Sequence, residues 1–275
     1  MKFRRQLRGI ARALFHLALV VGPIWGLAHA SQALERALYG VFLVGGLALL
    51  VWAAFVYWPG FDPLFRVPWR GPRRGRRMAI TFDDGPNGDQ TVAVLRLLDR
   101  HQAKATFFMI GQNVERQPEV ARQVAAAGHA VGSHTYSHRK LNQVSLAEAK
   151  EEIDRGQAAL AGAGIADARL FRAPHGLKTF AVVRHLAQRG LRPIAWTAGV
   201  YDTDCPHAQV IARRAKRWVR PGNILLLHDG KLGHDRRPMT EALDAVLQLA
   251  RKRGIQLVTI PELLGWSCSN AASSS

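Results

Sequence analysis

The sequence predicts an α/β domain on a largely parallel β-sheet, closed or nearly closed into a barrel, preceded by one or two transmembrane helices. Three observations carry that expectation. Short apolar runs alternate with longer amphipathic stretches from about residue 78 to residue 264, with no long antiparallel hairpin signal between them. The residues able to do chemistry follow directly after the apolar runs, where an α/β barrel places its functional loops. The front of the chain is of another kind, apolar and basic by turns.

Residues 13–34 are uncharged but interrupted by Pro23 and two histidines, and they read as a span, an interfacial helix or the apolar part of a signal peptide. Residues 37–61 are more apolar, and 41–56 are almost free of polar atoms. Tyr39, Trp52, Tyr57 and Trp58 stand where an aromatic belt would lie, so this second stretch reads as a membrane span. If both stretches span, near 13–34 and 37–58, they form a hairpin that puts the N-terminus and the main domain on the cytoplasmic side of a bacterial inner membrane. If only the second spans, the main domain faces out. The hairpin is preferred because it gathers the basic flanks on one side. The expected organisation is an anchor over 1–58, a basic linker over 59–75, the main domain over 76–266 and a disordered tail over 267–275.

The formal charge of +18 is unevenly placed. Residues 1–12 carry Lys2, Arg4, Arg5, Arg8 and Arg12 with no acid, and residues 59–77 carry six arginines against Asp62 alone. Charge concentrated in two short segments suits anionic lipid headgroups and argues against a nucleic-acid footprint. Cys205 and Cys268 have no thiol-metal spacing and make no case for redox chemistry.

The main domain begins with a strand over 78–82 that ends at the turn Gly85-Pro86. Apolar positions 92, 94, 95, 97 and 98 then give a helix over 89–101, and a strand follows over 105–110. A helix over 118–127 starts with Pro118 and stops at Gly128, before a strand at 130–133. Ser145 and Glu148 form a capping box for a helix over 145–160. The alternation continues with strand 169–171, helix 178–189, strand 193–196, helix 206–219, strand 224–227, helix 238–253 and strand 256–260, with a last turn at 262–264. Periodicity alone leaves a closed barrel and an open sheet both open.

Asp83 and Asp84 are adjacent carboxylates at the tip of the first strand, and a bound cation or shared proton is the natural way to hold such a pair together. His134 and His138 follow the strand at 130–133. Four residues apart, they share one face of a helix or converge from a turn. With one carboxylate they supply a His-His-Asp site for zinc or another first-row divalent ion.

These stretches resemble the polysaccharide deacetylase family, the NodB-homology domain of carbohydrate esterase family 4. Thr81-Phe82-Asp83-Asp84-Gly85-Pro86 and the segment from His134 to His138 are similar to its first two motifs. Arg172-Ala173-Pro174-His175-Gly176, the 196–204 region and Leu226-Leu227-His228-Asp229-Gly230 fit three later ones in order, so the resemblance runs over roughly 77–264. It implies a distorted (β/α) barrel of about seven strand-helix units. It implies one divalent metal, Zn2+ with Co2+, Ni2+ or Mn2+ as alternatives, on Asp84, His134 and His138. Asp83 becomes the general base, Arg172 the cation that orients it, and His228 the general acid for the leaving amine. The acid's carboxylate partner falls in Tyr201-Asp202-Thr203-Asp204-Cys205, with Asp204 slightly favoured over Asp202; Cys205 stands where the family usually has tryptophan. Pro174 and Gly176 shape a loop, His175 lines the groove, and Leu226 and Trp196 would hold the acyl methyl.

The resemblance thus implies a metal-dependent N-deacetylase of an N-acylated hexosamine. A cytoplasmic domain behind an arginine-rich linker suggests a lipid-linked sugar such as a polyprenyl-phosphate hexosamine, its phosphate drawn by the arginines. The alternatives are a periplasm-facing deacetylase of peptidoglycan or a chitin-like polymer, and a non-catalytic carbohydrate-binding membrane module.

Overall fold

A computed structural model of the chain describes residues 32–57, 67–230 and 236–266. The chain divides into two compact units, Met1–Phe55 and Val56–Ser275. In the first, helix α1 (Gln32–Tyr57) contains one stretch, Arg36–Ala54, long and apolar enough to cross a membrane, with mean hydropathy 2.1 and none of it buried. Val41, Val44, Leu47 and Leu50 are all exposed on it. Residues 13–31 of the expected first span, 59–66 of the expected linker and the tail from 267 lie outside the described residues.

The second unit is an open, curled parallel sheet. Its strands are β1 (Arg77–Gly85), β2 (Thr106–Met109), β3 (Ala130–Ser133), β4 (Leu170–Phe171), β5 (Arg192–Pro193), β6 (Ala198–Gly199), β7 (Ile224–His228) and β8 (Gln256–Leu257). They lie in the order β5-β4-β3-β2-β1-β7-β6, with β8 pairing the start of β1. Beyond Arg77, β1 is buried along its length, as the centre of a sheet covered on both faces must be. Phe82 and Phe107 stack at 4.9 Å in the main core.

Around the sheet pack α2 (Gly88–Arg100), α3 (Gly111–Arg116), α4 (Pro118–Ala126), α5 (Leu146–Gly162), α6 (Phe180–Gln188), α7 (Ala208–Lys216), α8 (Arg237–Lys252) and α9 (Ile260–Leu264). Helix α5 starts on the expected capping box, with Ser145 accepting from Glu148 N. A second box, Thr259 with Glu262, starts α9 and ends the last strand after Leu257, short of the expected 256–260.

The barrel does not close. The expected strand at 193–196 breaks after Pro193, because its next carbonyls serve a side chain: Arg172 donates to Ile194 O and Ala195 O. Ala195 N in turn donates to Pro68 O at 2.9 Å, and Thr197 Oγ1 to Trp69 O at 2.8 Å. Residues 68–69 therefore bond to the segment between β5 and β6, the two ends of the sheet order.

Register decides where the site lies. Asp83 is level with Phe108 of β2 and His228 of β7, while Met109 is level with Ser133 and Ser133 with Phe171. The residues leaving these strands, His134 and Arg172 among them, therefore emerge beside Asp83 and His228 at one end of the sheet.

Candidate active site

Asp83 and Asp84 part company at the end of β1. Asp84 takes a left-handed backbone, φ 72°, which swings its carboxylate off the strand alternation. Two contacts hold that bend: Asn113 Nδ2 donates to Asp84 O at 2.8 Å, and Gly230 packs so closely that a Cβ there would sit 1.9 Å from the same oxygen. Gly85 follows, with the Asp229 carboxylate 2.5 Å from where its Cβ would be, so only glycine fits.

The two histidines converge from a turn, not a helix. Thr135 and His138 both have left-handed φ, 65° and 64°, and Thr135 Oγ1 accepts from His138 N. The loop is clamped from α5: Glu152 accepts from Ser137 N at 2.8 Å and from Ser137 Oγ at 2.6 Å. Gly156 lets the helix backbone approach, since a Cβ there would meet Thr135 C at 2.9 Å.

His134 Nε2 and His138 Nε2 lie 3.5 and 3.1 Å from Asp84 Oδ1. One ligand atom from each of the three residues falls within 4.8 Å of the others. Asp84 Oδ1 is buried and has no hydrogen bond, the condition of an oxygen that needs a cation. His134 Nδ1 donates to Arg172 O at 2.7 Å, which fixes the tautomer and leaves Nε2 bare toward the cluster. Burial pushes the His134 pKa down to about 4, so the ring is neutral, as a ligand must be. Burial works against ionising Asp84, but His138, His134 and His228 outweigh it and hold the carboxyl well below its usual range. A hard carboxylate beside two imidazoles suits a divalent first-row cation.

Asp83 stands beside this cluster, 3 % exposed, with Oδ2 3.7 Å from His134 Nε2. Its Oδ1 accepts from Arg172 Nη1 at 2.7 Å. Arg172 is fully buried, bonds Thr81 Oγ1 as well, and lies 4.0 Å over the Phe108 ring. Burial lowers its pKa against the pull of Asp83, yet a guanidinium keeps its charge.

Across the groove, His228 is held by Asp202, not by the favoured Asp204. Asp202 is 2 % exposed and makes two contacts, with His228 Nδ1 donating to Oδ1 at 3.0 Å and His228 N donating to Oδ2 at 2.9 Å. Asp204 is exposed and lines the groove without reaching the imidazole. The reason is the 3-10 turn at Asp202–Asp204, which follows Tyr201 in a left-handed conformation and points the first acid inward. Burial opposes protonation of His228, but Asp202, with help from Asp84 and Asp83, overcomes it and raises the pKa to about 9. The free nitrogen is Nε2.

Asp83, Asp84, His134, His138 and His228 line one open groove of about 850 Å³. Trp196, Leu226 and His175 share its wall, and His175 stacks edge-on to His138 at 5.0 Å. Pro174 and Gly176 are buried in the loop, flanking His175 at φ 56°. Two buried residues had no assigned role in the sequence reading. Asp229, 1 % exposed, accepts from Thr91 Oγ1 at 2.6 Å, and burial raises its pKa to about 7. Arg236 donates to Gly230 O at 2.9 Å and Asp202 O at 3.2 Å, tying together the two turns that hold His228. Asp229 stood in a matched motif, whereas nothing local in sequence marks Arg236.

A candidate cation site flanked by a buried carboxylate on one side and an imidazolium on the other defines a class, the metal-dependent hydrolases that cleave amides or esters with water. Comparison with known proteins narrows it. The polysaccharide deacetylase family model matches residues 70–194. A peptidoglycan-N-acetylglucosamine deacetylase of Bacillus cereus is 35 % identical over 205 residues, covering 74 % of this chain and 95 % of its own length. A chitooligosaccharide deacetylase of a Bradyrhizobium species is also 35 % identical, over 215 residues, 74 % of this chain and 98 % of its own. The crystal structure of the Bc1960 peptidoglycan N-acetylglucosamine deacetylase superposes with a TM-score of 0.69 at 29 % identity, covering 73 % of this chain and 93 % of that one. The chain belongs to the polysaccharide deacetylase family, the NodB-homology or carbohydrate esterase family 4 deacetylases, and is a metal-dependent hydrolase of N-acyl amides.

Proposed function

We propose that the protein removes acetyl groups from N-acetylglucosamine units of a polymer, peptidoglycan or a chitin-like chain, outside a bacterial inner membrane in which α1 anchors it. The carrying observation is the meeting, in one open groove, of the Asp84-His134-His138 cluster with the Asp83–Arg172 and His228–Asp202 pairs. The peptidoglycan and chitooligosaccharide substrates named for the relatives support the polymer reading.

Asp84, His134 and His138 would hold one Zn2+ or a similar divalent ion, which supplies a Lewis acid that acidifies water and polarises the amide carbonyl. Asp83 takes the proton from the attacking water; Arg172 holds that carboxylate in place through its Nη1. His228, protonated through neutral pH, gives its Nε2 proton to the departing nitrogen as the C–N bond breaks, leaving acetate and a free amine. Asp202 fixes the His228 ring and steadies its charge. Leu226 and Trp196 form an apolar wall for the acetyl methyl, and His175 lines the sugar's path.

A lipid-linked sugar at the cytoplasmic face is the second reading, favoured by the arginines that follow α1. Against it, Arg77 lies at the opposite end of β1 from Asp84, roughly 23 Å away at about 3.3 Å per residue. Arginines placed there do not sit beside the reacting amide. Acetate release from N-acetylglucosamine oligomers and from a polyprenyl-phosphate N-acetylhexosamine separates the two readings, together with a topology reporter fused after Ser275. Turnover of the oligomer with an external reporter supports the polymer reading; turnover of the lipid-linked sugar alone overturns it.

A further inference from the structure

At the end of the sheet away from the groove, the corner formed by the starts of β1, β7 and β8 carries cations and no acid on three segments. Three segments distant in sequence meet there. Gly71 N donates to Gly222 O and Gly222 N to Arg77 O, each at 2.7 Å, which joins residues 70–77 to the turn before β7. Gln256 N donates to Arg76 O at 2.8 Å, and Arg253 Nη1 donates to Val219 O at 2.7 Å, which brings in the turn before β8. Residues 70–77, 213–220 and 251–254 contain only basic charges and no Asp or Glu.

Arg74, Arg76, Arg77, Lys216, Arg220 and Lys252 are all exposed there. Among the described residues none of the six forms an ion pair, although Arg122, Arg139, Arg155 and Arg189 elsewhere do. Helix dipoles explain part of this face, since α7 and α8 end here with Lys216 and Lys252 in their last turns. They do not explain the arginines of 73–77, which precede or begin the first strand and cap no helix. Unpaired like charges gathered on one face repel, a cost that an anionic partner removes.

We propose that this face docks on an anionic lipid surface, with phospholipid phosphates bound by its exposed guanidinium and ammonium groups, so that the groove opens away from the bilayer. A membrane is favoured over a soluble polyanion by the chain's own connectivity. Sixteen positions separate Ala54, the end of the apolar stretch, from Arg70. Even fully extended, they span at most about 58 Å, so the face is tethered within reach of headgroups at high effective concentration. The surface lies outside the reaction site and holds whichever sugar polymer is the substrate.

Hydrogen exchange of the full chain in lipid nanodiscs tests this, with discs of phosphatidylcholine alone against discs containing phosphatidylglycerol. The expected result is exchange slowed about tenfold or more in 71–77, 216–222 and 251–256 only with phosphatidylglycerol, and lost in about 0.5 M salt, while 130–138 is unchanged. Equal exchange in both lipids, or protection that survives salt, would overturn the proposal. Replacing Arg74, Arg76, Arg220 and Lys252 together by Gln should remove the protection and leave acetate release from a soluble oligomer unchanged; persistence of the protection would overturn the proposal too. The wild-type comparison needs no substitution, so a variant that fails to fold does not blunt the test.

Discussion

His228 and Asp229 are neighbours in sequence with opposite tasks. His228 carries a pKa of about 9 because Asp202 holds its Nδ1 proton. A raised His pKa contributes stability in full below its unfolded value near 6.5, and that contribution is lost as pH rises through about 9. Asp202→Asn should therefore lower the His228 midpoint toward 6.5 in an NMR titration of the metal-free protein, and cut kcat by about 10²–10⁴-fold. An unmoved midpoint would mean another group holds the imidazolium. Asp229 is raised to about 7 by burial, so its contribution is complete below 3.8 and is lost as pH rises through 7. Relative to wild type, Asp229→Asn should gain roughly 2–4 kcal/mol in urea unfolding of metal-free protein between pH 5 and pH 8. A constant gap between the two proteins would contradict a buried acid. The gathering of Asp84, His134 and His138 beside Asp83 was legible in the sequence because each sits in a short motif at a strand exit. The choice of Asp202 over Asp204 was not, because it turns on the left-handed Tyr201 and on a strand more than 20 residues later.

At the scale of elements, the loops between strands carry the strain that makes the site. Asp84, Thr135, His138, His175 and Tyr201 all have positive φ without being glycine, and all five lie in or beside the groove. Gly230→Ala would drive a methyl into Asp84 O and the Gly85 nitrogen. It should lower stability by about 3 kcal/mol or more and weaken metal binding at least about tenfold, read by calorimetry and metal titration. Ser145→Ala removes one half of a capping box whose residues do not line the groove and should cost only about 1 kcal/mol, with kcat unchanged. Helix positions were readable from apolar spacing and caps, Ser145 being the clearest. Strand 193–196 was not, because its carbonyls are taken by Arg172, a partner that periodicity does not reveal. The six-residue α3 was missed as well, being too short to show a period.

For the whole sheet, the parallel register brings Asp83, His134, Arg172 and His228 to one end and leaves the acid-free segments 70–77, 213–220 and 251–254 at the other. The α/β alternation gave the layers from sequence, but closure depends on what bonds the segment between β5 and β6, which here is residues 68–69. Removing the metal should abolish acetate release and lower the melting temperature in a manner reversed by added divalent ion, because a ligand of the folded state stabilises it by mass action. The most direct test of the account is acetate release from an N-acetylglucosamine oligomer by metal-loaded wild type and Asp83→Asn at matched metal content. Wild type should release acetate, and Asp83→Asn should keep one ion per chain while losing about 10²-fold or more in kcat. A metal-loaded wild type that releases none, or an Asp83→Asn protein that works as fast, would contradict the assignment of a free acid beside the ion.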